Sequence, residues 1–267
     1  MTFHEEMKTM KALGIDVGGS GIKGGVVDVE KGVLVGERYR VSTPNPSKPQ
    51  KVTKRLLKVV NHFDWVGKPF GVGFPSVVRH GTVYTAANIS KKWIGCNAAE
   101  LFGEATGSEC IVLNDADAAG VAEMSFGEGK GRKGTVIIIT IGTGLGSAIF
   151  TDGVLVPNTE FGHLLIRGKD AEHRASDAVR KNKWFEWKGS DELKWKKWAK
   201  RLNEYLTYME SLFWPDLFIL GGGVSREFEQ FVPYLKVKAE LRPALMQNQA
   251  GIIGAAMRAY ETFGARE

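Results

Sequence analysis

Two glycine-rich segments, each lying between two apolar runs, constrain the fold of this chain more than any other feature. The first is residues 16–25, DVGGSGIKGG, and the second is residues 141–147, IGTGLGS. Glycine permits the positive φ angles and the close approach that tight turns need, and the N–H groups of such turns can converge on one anion. We therefore expect a strand-turn-strand unit at both places, and a phosphate-rich ligand held by the two turns.

The sequence around these turns argues against two common nucleotide-binding folds. Residues 19–24 and residues 129–134 both match G-x-G-x-x-G, but a dinucleotide site requires a helix directly after the turn. Residues 25–29 instead continue as the β-branched alternation of a strand. No segment matches G-x-x-x-x-G-K-[ST], the signature of P-loop enzymes. Dinucleotide binding is thus disfavoured, and a P-loop is excluded.

Hydrophobic periodicity and turn residues predict the same order of elements twice. In the first half we expect strands at residues 13–17, 25–29, 33–41, 70–74 and 111–114, and helices at residues 51–63, 98–106 and 116–126. In the second half we expect strands at residues 135–141, 145–150, 154–157 and 217–220, and helices at residues 171–183, 191–213 and 250–263.

This repetition predicts a duplicated α/β fold, in which two domains flank a cleft. We assign residues 12–119 and the C-terminal helix, residues 250–264, to a small N-terminal domain. Residues 120–249 form the larger C-terminal domain in this assignment.

Composition predicts a cytoplasmic globular protein. The chain has 267 residues, 43% of them hydrophobic, which is enough to bury a large core. No apolar run reaches the ~18 residues of a membrane helix, and residues 1–11 lack the apolar stretch of a secretion signal. The two cysteines, Cys96 and Cys110, are too few for a disulfide framework. The net charge of +6 indicates attraction to anions without naming one.

The pair Asn114 and Asp115 ends a buried strand and begins a helix. Two interpretations of Asp115 stay open: it is only the N-cap of that helix, or it is a general base for a phosphoryl acceptor. A hydroxyl that attacks phosphorus needs a carboxylate within hydrogen-bond reach. Asp117 is the alternative base, although it lies further along the helix.

A second polar group is Glu160 with His163, followed by Glu172. Glu160 and His163 lie three residues apart and can face one neutral polyol, with the imidazole donating or accepting according to its tautomer. As a metal pair they are weak, because no third ligand stands nearby in the sequence. Taken singly, Glu172 is also typical of a helix start.

Two basic segments carry part of the positive charge. One is residues 129–134, GKGRKG, and the other is residues 188–201, which include Lys194, Lys196, Lys197, Lys200 and Arg201. They can guide a polyanion, or they are solvated surface. Trp184, Trp187, Trp195 and Trp198 interleave with these lysines, a pattern that also suits nucleic acid. The helical spacing of Trp195 and Trp198 favours core contacts instead.

These motifs, in this order, resemble the ROK family of sugar kinases, within the actin-like and hexokinase-like ATPases. The resemblance covers nearly the whole chain. It is carried by residues 14–19 with Lys23, residues 113–115, 141–147, 157–163, 168–172 and 220–225, the last of which is a third glycine turn, LGGGVS. Most ROK members follow the histidine of E-x-G-H with zinc-binding cysteines, and no cysteine follows His163. We therefore expect no zinc site.

The resemblance also implies residue roles. Asp115 would deprotonate the sugar 6-hydroxyl, and the residues that bind the sugar would be Asn88, Asn114, Asp115, Glu160, His163 and Glu172. Asp16 would lie near Mg²⁺, directly or through water. The residues that hold the phosphoryl donor would be Asp16, Gly18, Gly19, Ser20, Lys23, Gly142, Thr143, Gly144 and, beside the adenosine, Gly221, Gly222 and Gly223.

The implied reaction is phosphoryl transfer from inorganic polyphosphate or ATP to the 6-hydroxyl of glucose, with mannose as a second acceptor and Mg²⁺ as cofactor. Positioned N–H groups, a metal ion and one base suffice for such chemistry. Alternatives are an ATP-only kinase for another hexose and a non-catalytic sugar-binding regulator. A nucleic-acid-binding module would leave the Asn-Asp and Glu-His groups unexplained. We expect a monomer or homodimer with no nucleic-acid or membrane partner.

Overall fold

The computed structural model describes residues 10–181 and 190–264. They fall into two compact units. One comprises the residues up to Leu113 together with those from Gly251 onward, and the other is Asn114–Ala250. The domain limits expected from the sequence, 119/120 and 249/250, lie near the two points, after Leu113 and after Ala250, where the chain passes from one unit to the other. The division into a small N-terminal and a large C-terminal domain stays a prediction.

The first unit is built on a six-stranded sheet. Its strands are β1 (Lys11–Val17), β2 (Gly21–Asp28), β3 (Val33–Leu34), β4 (Tyr39–Ser42), β5 (Phe70–Phe74) and, reaching its boundary, β8 (Cys110–Asn114). A separate small hairpin joins β6 (Val78–Arg79) to β7 (Thr82–Val83). The helices are α1 (Pro49–His62), α2 (Ala98–Thr106) and the C-terminal α8 (Ala250–Phe263).

The second unit has a five-stranded sheet of β9 (Thr135–Ile141), β10 (Leu145–Thr151), β11 (Val154–Val156), β14 (Leu217–Gly221) and β15 (Glu240–Pro243). A two-stranded hairpin is made of β12 (Leu165–Ile166) and β13 (Lys169–Asp170). The helices are α3 (Asp115–Phe126), α4 (Glu172–Ala175), α5 (Asp177–Lys181), α6 (Asp191–Phe213) and α7 (Phe228–Phe231).

The two sheets repeat one topology, so the predicted duplication is confirmed. The strand orders are β3-β2-β1-β5-β8 and β11-β10-β9-β14-β15, with β4 also paired to β2. In each unit an antiparallel hairpin, β1/β2 or β9/β10, is followed by a strand that joins its first strand in parallel. A parallel strand of this kind requires a long crossover connection, which is why helices separate them.

Each unit has its own apolar core, formed by the buried faces of its sheet and helices. Trp93 packs against Phe74 and Phe102 in the first unit. In the second, Trp198 is 2% exposed and contacts Trp195 and Phe231. The prediction that Trp195 and Trp198 make core contacts is confirmed. Trp184, Trp187 and Lys188 lie outside the described residues.

Two elements predicted as continuous are interrupted, so those two predictions were wrong. Residues 33–41 form β3 and β4, separated by a turn in which Gly36 has a φ of 85°, and both strands pair with β2. The helix expected from residue 171 is divided into α4 and α5 at Ser176, whose backbone is extended. There the indole of Trp198 donates to the carbonyls of Ala175 and Ser176, which stabilises the break.

The last helix of the chain packs on the first sheet. Gly14 and Gly71 lie under α8, where an added Cβ would overlap the carbonyl oxygens of Ile252 and Ala255. This close approach requires glycine on both strands. Within the described ranges, no helix is long and apolar enough to span a bilayer.

Candidate active site

The junction between β8 and α3 presents the Asn-Asp pair. Asn114 is the N-cap residue: its Oδ1 accepts from the N–H groups of Ala116 and Asp117, at 2.8 and 3.2 Å. Asp115 is the first residue of the helix, and its Oδ1 accepts from Ala116 N–H at 2.8 Å. The N-cap interpretation of Asp115 was therefore wrong, because the neighbouring amide takes that role. A carboxylate in the first turn is also favoured by the helix dipole.

Glu160 precedes a short 3-10 turn, Phe161–His163, that packs on β10, and His163 is the last residue of this turn. Phe161 packs edge-on against Phe213 at a ring distance of 4.9 Å. Gly162 is buried, and an added Cβ would overlap the carbonyl oxygen of Leu145. The inner residues of the turn thus fix its position, while Glu160 and His163 keep 38% and 48% of their side-chain surface exposed.

A row of polar contacts joins these two places. Asn114 Nδ2 donates to Glu160 Oε1 at 3.3 Å, and Glu160 Oε2 lies 3.8 Å from His163 Nε2. On its other side, His163 Nδ1 is 2.9 Å from Asp170 Oδ2. The structure therefore brings together four groups from β8, the 3-10 turn and the β12/β13 hairpin.

Glu172, at the start of α4, lies against the second glycine turn. Its Oε2 occupies the space that a Cβ on Gly144 would fill. The turn itself is closed by a hydrogen bond from Gly142 N–H to the carbonyl of Gly144, at 3.0 Å. Glycine at position 144 is thus explained by close approach.

Electrostatics in this group favour a protonated imidazole. Asp170, Glu172 and Glu160 raise the pKa of His163, with the hydrogen bond to Asp170 as the largest cause. Burial raises the pKa of Glu160, and Glu172 adds to this, whereas His163 lowers it. The group therefore offers carboxylate acceptors together with one imidazole whose charged form is favoured by its neighbours.

One metal-binding possibility arises among the described residues. Ligand atoms of His163, Asp170 and Glu172 lie within 4.8 Å of one another. The expected absence of a zinc site was argued from cysteines alone, and it stays a prediction.

Six of the predicted residues lie in the first unit: Asp16, Gly18, Gly19, Ser20, Lys23 and Asn88. Asp16, at the end of β1, pairs across the hairpin with Lys23, whose Nζ is 3.0 Å from Asp16 Oδ2. The first turn follows, closed by Gly18 N–H donating to Gly21 at 3.0 Å. Asn88 is exposed in the segment between β7 and the 3-10 turn Lys91–Trp93. Nearby, Ser90 N–H donates to Ser47 Oγ, which anchors this segment.

The conformational reason given for the glycine turns was wrong at both turns. Gly18, Gly19, Gly142 and Gly144 do not have positive φ angles. An added Cβ would meet nothing at Gly19 and Gly142, so those two leave the turn backbone uncovered. The third turn does use the left-handed region: Gly222 has a φ of 82°.

A family model for ROK matches residues 12–180 of the chain. The chain belongs to the ROK family.

Two relatives share most of its length. A polyphosphate glucokinase of Mycobacterium tuberculosis (strain CDC 1551 / Oshkosh) is 51% identical over 246 residues, 91% of this chain and 89% of its own. The crystal structure of an inorganic polyphosphate/ATP-glucomannokinase from Arthrobacter sp. strain KM is 43% identical, with a TM-score of 0.87 over 94% of this chain and 99% of that one.

A third similar protein is a ROK family glucokinase from Streptomyces griseus, crystallised with glucose and AMPPNP. It is 26% identical, with a TM-score of 0.79 over 94% of this chain and 100% of that one. The predicted α/β fold is therefore that of ROK sugar kinases.

Three residues of this ROK chain have supporting roles that the sequence did not predict. Asp117 is 1% exposed, and its Oδ2 accepts from Asn158 N–H at 2.7 Å, so it holds the segment before Glu160. This position argues against Asp117 as the base. Buried Ser147 exchanges hydrogen bonds with Thr159 at 2.8 and 2.9 Å. The third residue is Asp170, whose Oδ2 lies 2.9 Å from His163 Nδ1.

The basic segments of this ROK chain differ in their contacts. Arg132 makes a two-bond ion pair with Glu240, at 2.9 and 3.2 Å, and so has a structural role. Lys130 and Lys133 are exposed. Residues of α6, α4 and the β12/β13 hairpin line an open depression of about 380 Å³, which we call the basic depression. Its basic side chains are Arg167, Arg174, Lys197, Lys200 and Arg201, and Asn203 and Glu204 complete the lining.

Proposed function

We propose that this protein transfers a phosphoryl group from inorganic polyphosphate or ATP to the 6-hydroxyl of glucose, with mannose as a second acceptor. The observation that carries the proposal is the row Asn114, Glu160 and His163 at the N-terminus of α3, next to Asp115. The activities after which the Mycobacterium and Arthrobacter relatives are named support the donor and the hexose.

Asp115 is the proposed general base. Asn114 caps the helix, so the carboxylate of Asp115 is not required for that purpose. A carboxylate within reach of the attacking hydroxyl takes its proton as the new O–P bond forms, and this is worth about 10²–10⁴ in rate.

Glu160, His163, Glu172 and Asn114 are the proposed hexose ligands, with Asn88 from the first unit. Carboxylates accept from hydroxyls, and an amide or imidazole can donate to them. Directional hydrogen bonds of this kind distinguish the orientation of each hydroxyl, which an apolar pocket cannot do.

The two glycine turns, with Lys23, are the proposed phosphate ligands. Their uncovered backbone at Gly19 and Gly142 supports this role, and Gly221–Gly223 are proposed to lie beside the adenosine of ATP. Asp16 is suited to Mg²⁺ because this ion prefers oxygen ligands and the side chain offers two carboxylate oxygens. Of these, Oδ2 accepts from Lys23, and Oδ1 lies beside Gly251. When bound, Mg²⁺ would neutralise charge on the transferring phosphoryl group.

A matrix of donors and acceptors tests the function. ATP and polyphosphate are each assayed with Mg²⁺ against glucose, mannose, fructose and N-acetylglucosamine. We expect transfer to glucose from both donors. Transfer from ATP alone to a different hexose would support the ATP-only kinase, and sugar binding without transfer from any donor would support the regulator.

Asp115→Asn tests the base. We expect kcat to fall by at least about a hundredfold, because the hydroxyl loses its proton acceptor, while glucose still binds. Steady-state kinetics and calorimetric glucose binding measure the two effects.

Asp191→Asn is the matched control, since Asp191 is an exposed first-turn carboxylate of α6 in the same unit. It should keep the turnover of the wild type. A near-normal kcat for Asp115→Asn would refute the assignment.

A further inference from the structure

We propose that Asp170 is a positioning residue that holds His163 with its Nδ1 protonated, so that Nε2 is the atom offered to the hexose. The proposal rests on the proposed function for the identity of the ligand. It rests on the geometry of the β12/β13 hairpin for the role of Asp170.

The β12/β13 hairpin places Asp170 next to His163. Its two central residues, Arg167 and Gly168, have φ angles of 52° and 74°, as in the two-residue turns that join tight antiparallel strands. The register pairs Leu165 with Asp170. The N–H of Ala171 then donates to the carbonyl of Leu164 at 2.9 Å, which fixes the chain on both sides of the carboxylate.

The side chain of Asp170 is not needed to close this hairpin, because the pairing of β12 with β13 is made by the backbone. Its Oδ2 instead lies 2.9 Å from His163 Nδ1, within the range of a strong hydrogen bond. An ionised carboxylate only accepts, so Nδ1 must carry the proton.

The position of the proton on the imidazole determines whether Nε2 accepts or donates a hydrogen bond. With Nδ1 protonated, Nε2 accepts from a hydroxyl when the ring is neutral and donates to one when the ring is charged. Nε2 lies 3.8 Å from Glu160 Oε2, on the side of the ring that faces Glu160 and Asn114. Without Asp170 the ring is free to carry its proton on Nε2, and a neutral ring then loses the acceptor.

The charged groups around the imidazole set a pH dependence. Asp170 on β13, Glu172 on α4 and Glu160 beside the 3-10 turn all raise the pKa of His163. Replacing Asp170 removes the largest of these causes, so the ring should lose its proton at a lower pH. The pH at which glucose affinity changes should then move in the acid direction.

The experiment combines kinetics with ¹⁵N NMR of the imidazoles. His163→Gln identifies the His163 signals among the five histidines of the chain. In the wild type we expect Nδ1 to be protonated. In Asp170→Ala we expect a mixture of tautomers, a lower pKa of His163, and a KM for glucose raised about tenfold, the scale of losing one hydrogen bond to the sugar. The value of kcat should change less.

Two further variants keep the test decisive. Asp170→Asn keeps the shape of the side chain, but its amide can donate to an unprotonated Nδ1 as well as accept from a protonated one, so the tautomers should again become mixed while the pKa of His163 falls. Lys169→Ala removes the exposed neighbour on the same strand and should leave both the tautomer and the KM unchanged.

Unchanged tautomer and KM in Asp170→Ala would overturn the proposal. So would stoichiometric metal in the purified protein that is lost in both Asp170→Ala and His163→Gln, because Asp170 would then be a ligand. The NMR result does not depend on turnover. If no donor supports transfer, the proposed function fails while the spectra still decide the role of Asp170.

Discussion

Glu123, on the buried face of α3, is the one glutamate in the described part of the chain with almost no exposed surface, at 1%. Its Oε1 accepts from Met246 N–H at 2.7 Å, and so it joins α3 to the segment before α8. No hydrogen bond from the residues that the structure describes reaches its Oε2. Burial raises its pKa, and backbone N–H groups of Met246, Leu245 and Glu128 only partly oppose this.

This environment predicts a pH-dependent stability difference. Because the pKa of folded Glu123 is raised, its contribution is most favourable below the ordinary value of 4.5 and is lost as pH rises through the folded value. The free energy of unfolding of Glu123→Gln, minus that of the wild type, should therefore increase from about pH 4 to neutrality.

Urea unfolding at several pH values measures this difference. Its trend is decisive rather than its size, because the new amide also needs a partner in the core. Glu229→Gln, at an exposed glutamate of the same unit, controls for the loss of one negative charge. A difference that is flat with pH would contradict the assignment.

Sequence reasoning at this scale succeeded where chemistry follows local pattern. Asn114, Glu160 and His163 were predicted from neighbouring residues, and the structure brings them together. Asp117 and Asp170 were not assigned these roles, because their partners Asn158 and His163 are brought to them by the fold. Asp170 also depends on a two-residue turn whose first residue is arginine, which is not a typical turn signal.

At the scale of elements, α6 serves two functions with different faces. Trp198, Leu202 and Tyr205 on its inner face are at most 2% exposed. Its outer face contributes lysines to the basic depression, where Glu204 pairs with Arg167 and Arg174 at 2.6 and 2.5 Å. Burial is the main cause that lowers the pKa of Arg201, and the positive charge of Arg174 lowers it further.

The basic side chains that line the basic depression predict that a polyanion binds there. In the double variant Lys197→Ala with Lys200→Ala, the KM for long-chain polyphosphate should rise severalfold, while the KM values for ATP and glucose stay near those of the wild type. Loss of attraction for an extended anion is the physical reason. The effect should shrink at high salt, because salt screens exposed charges.

The double variant Lys51→Ala with Lys54→Ala is the matched control, with two exposed lysines at the same spacing on α1. It removes equal charge elsewhere and should leave polyphosphate use unchanged. If the two double variants changed the KM for polyphosphate equally, or if the first changed the KM values of polyphosphate and ATP equally, the basic depression would be ordinary solvated surface.

At the scale of the whole chain, the first unit is assembled from both ends. The α8 residues Ile252, Ile253, Ala255 and Ala256 are at most 1% exposed, and glycines of β1 and β5 lie directly under this helix. Without side chains at these positions, the helix backbone approaches the sheet more closely than any larger residue would permit.

Gly14→Ala should therefore destabilise the first unit, by about 1–3 kcal/mol for an overpacked position. Hydrogen exchange should report faster exchange in β1, β5 and α8, with little change in β9 and β14. Gly19→Ala is the control for stability, because an added Cβ there meets nothing within 4 Å. Wild-type exchange in Gly14→Ala would show that the helix shifts without cost.

The overall duplication was readable from the chain because each copy repeats the same strand and turn signals in the same order. The strand orders of the two sheets confirm it. The short elements were not readable: β12 and β13 have two residues each, too few for a periodic signal. The break between α4 and α5 depends on the indole of Trp198, more than twenty residues away.

The packing of α8 on the first sheet also has a consequence for biosynthesis. The second unit is one continuous stretch, Asn114–Ala250, so all of its strands have left the ribosome before α8 does. The strands β1 and β5 are made much earlier, yet their glycine-lined face has no partner until residues from Gly251 onward emerge. The first unit, although its strands β1 and β5 are synthesised early, therefore cannot be completed until the C-terminal helix has been made.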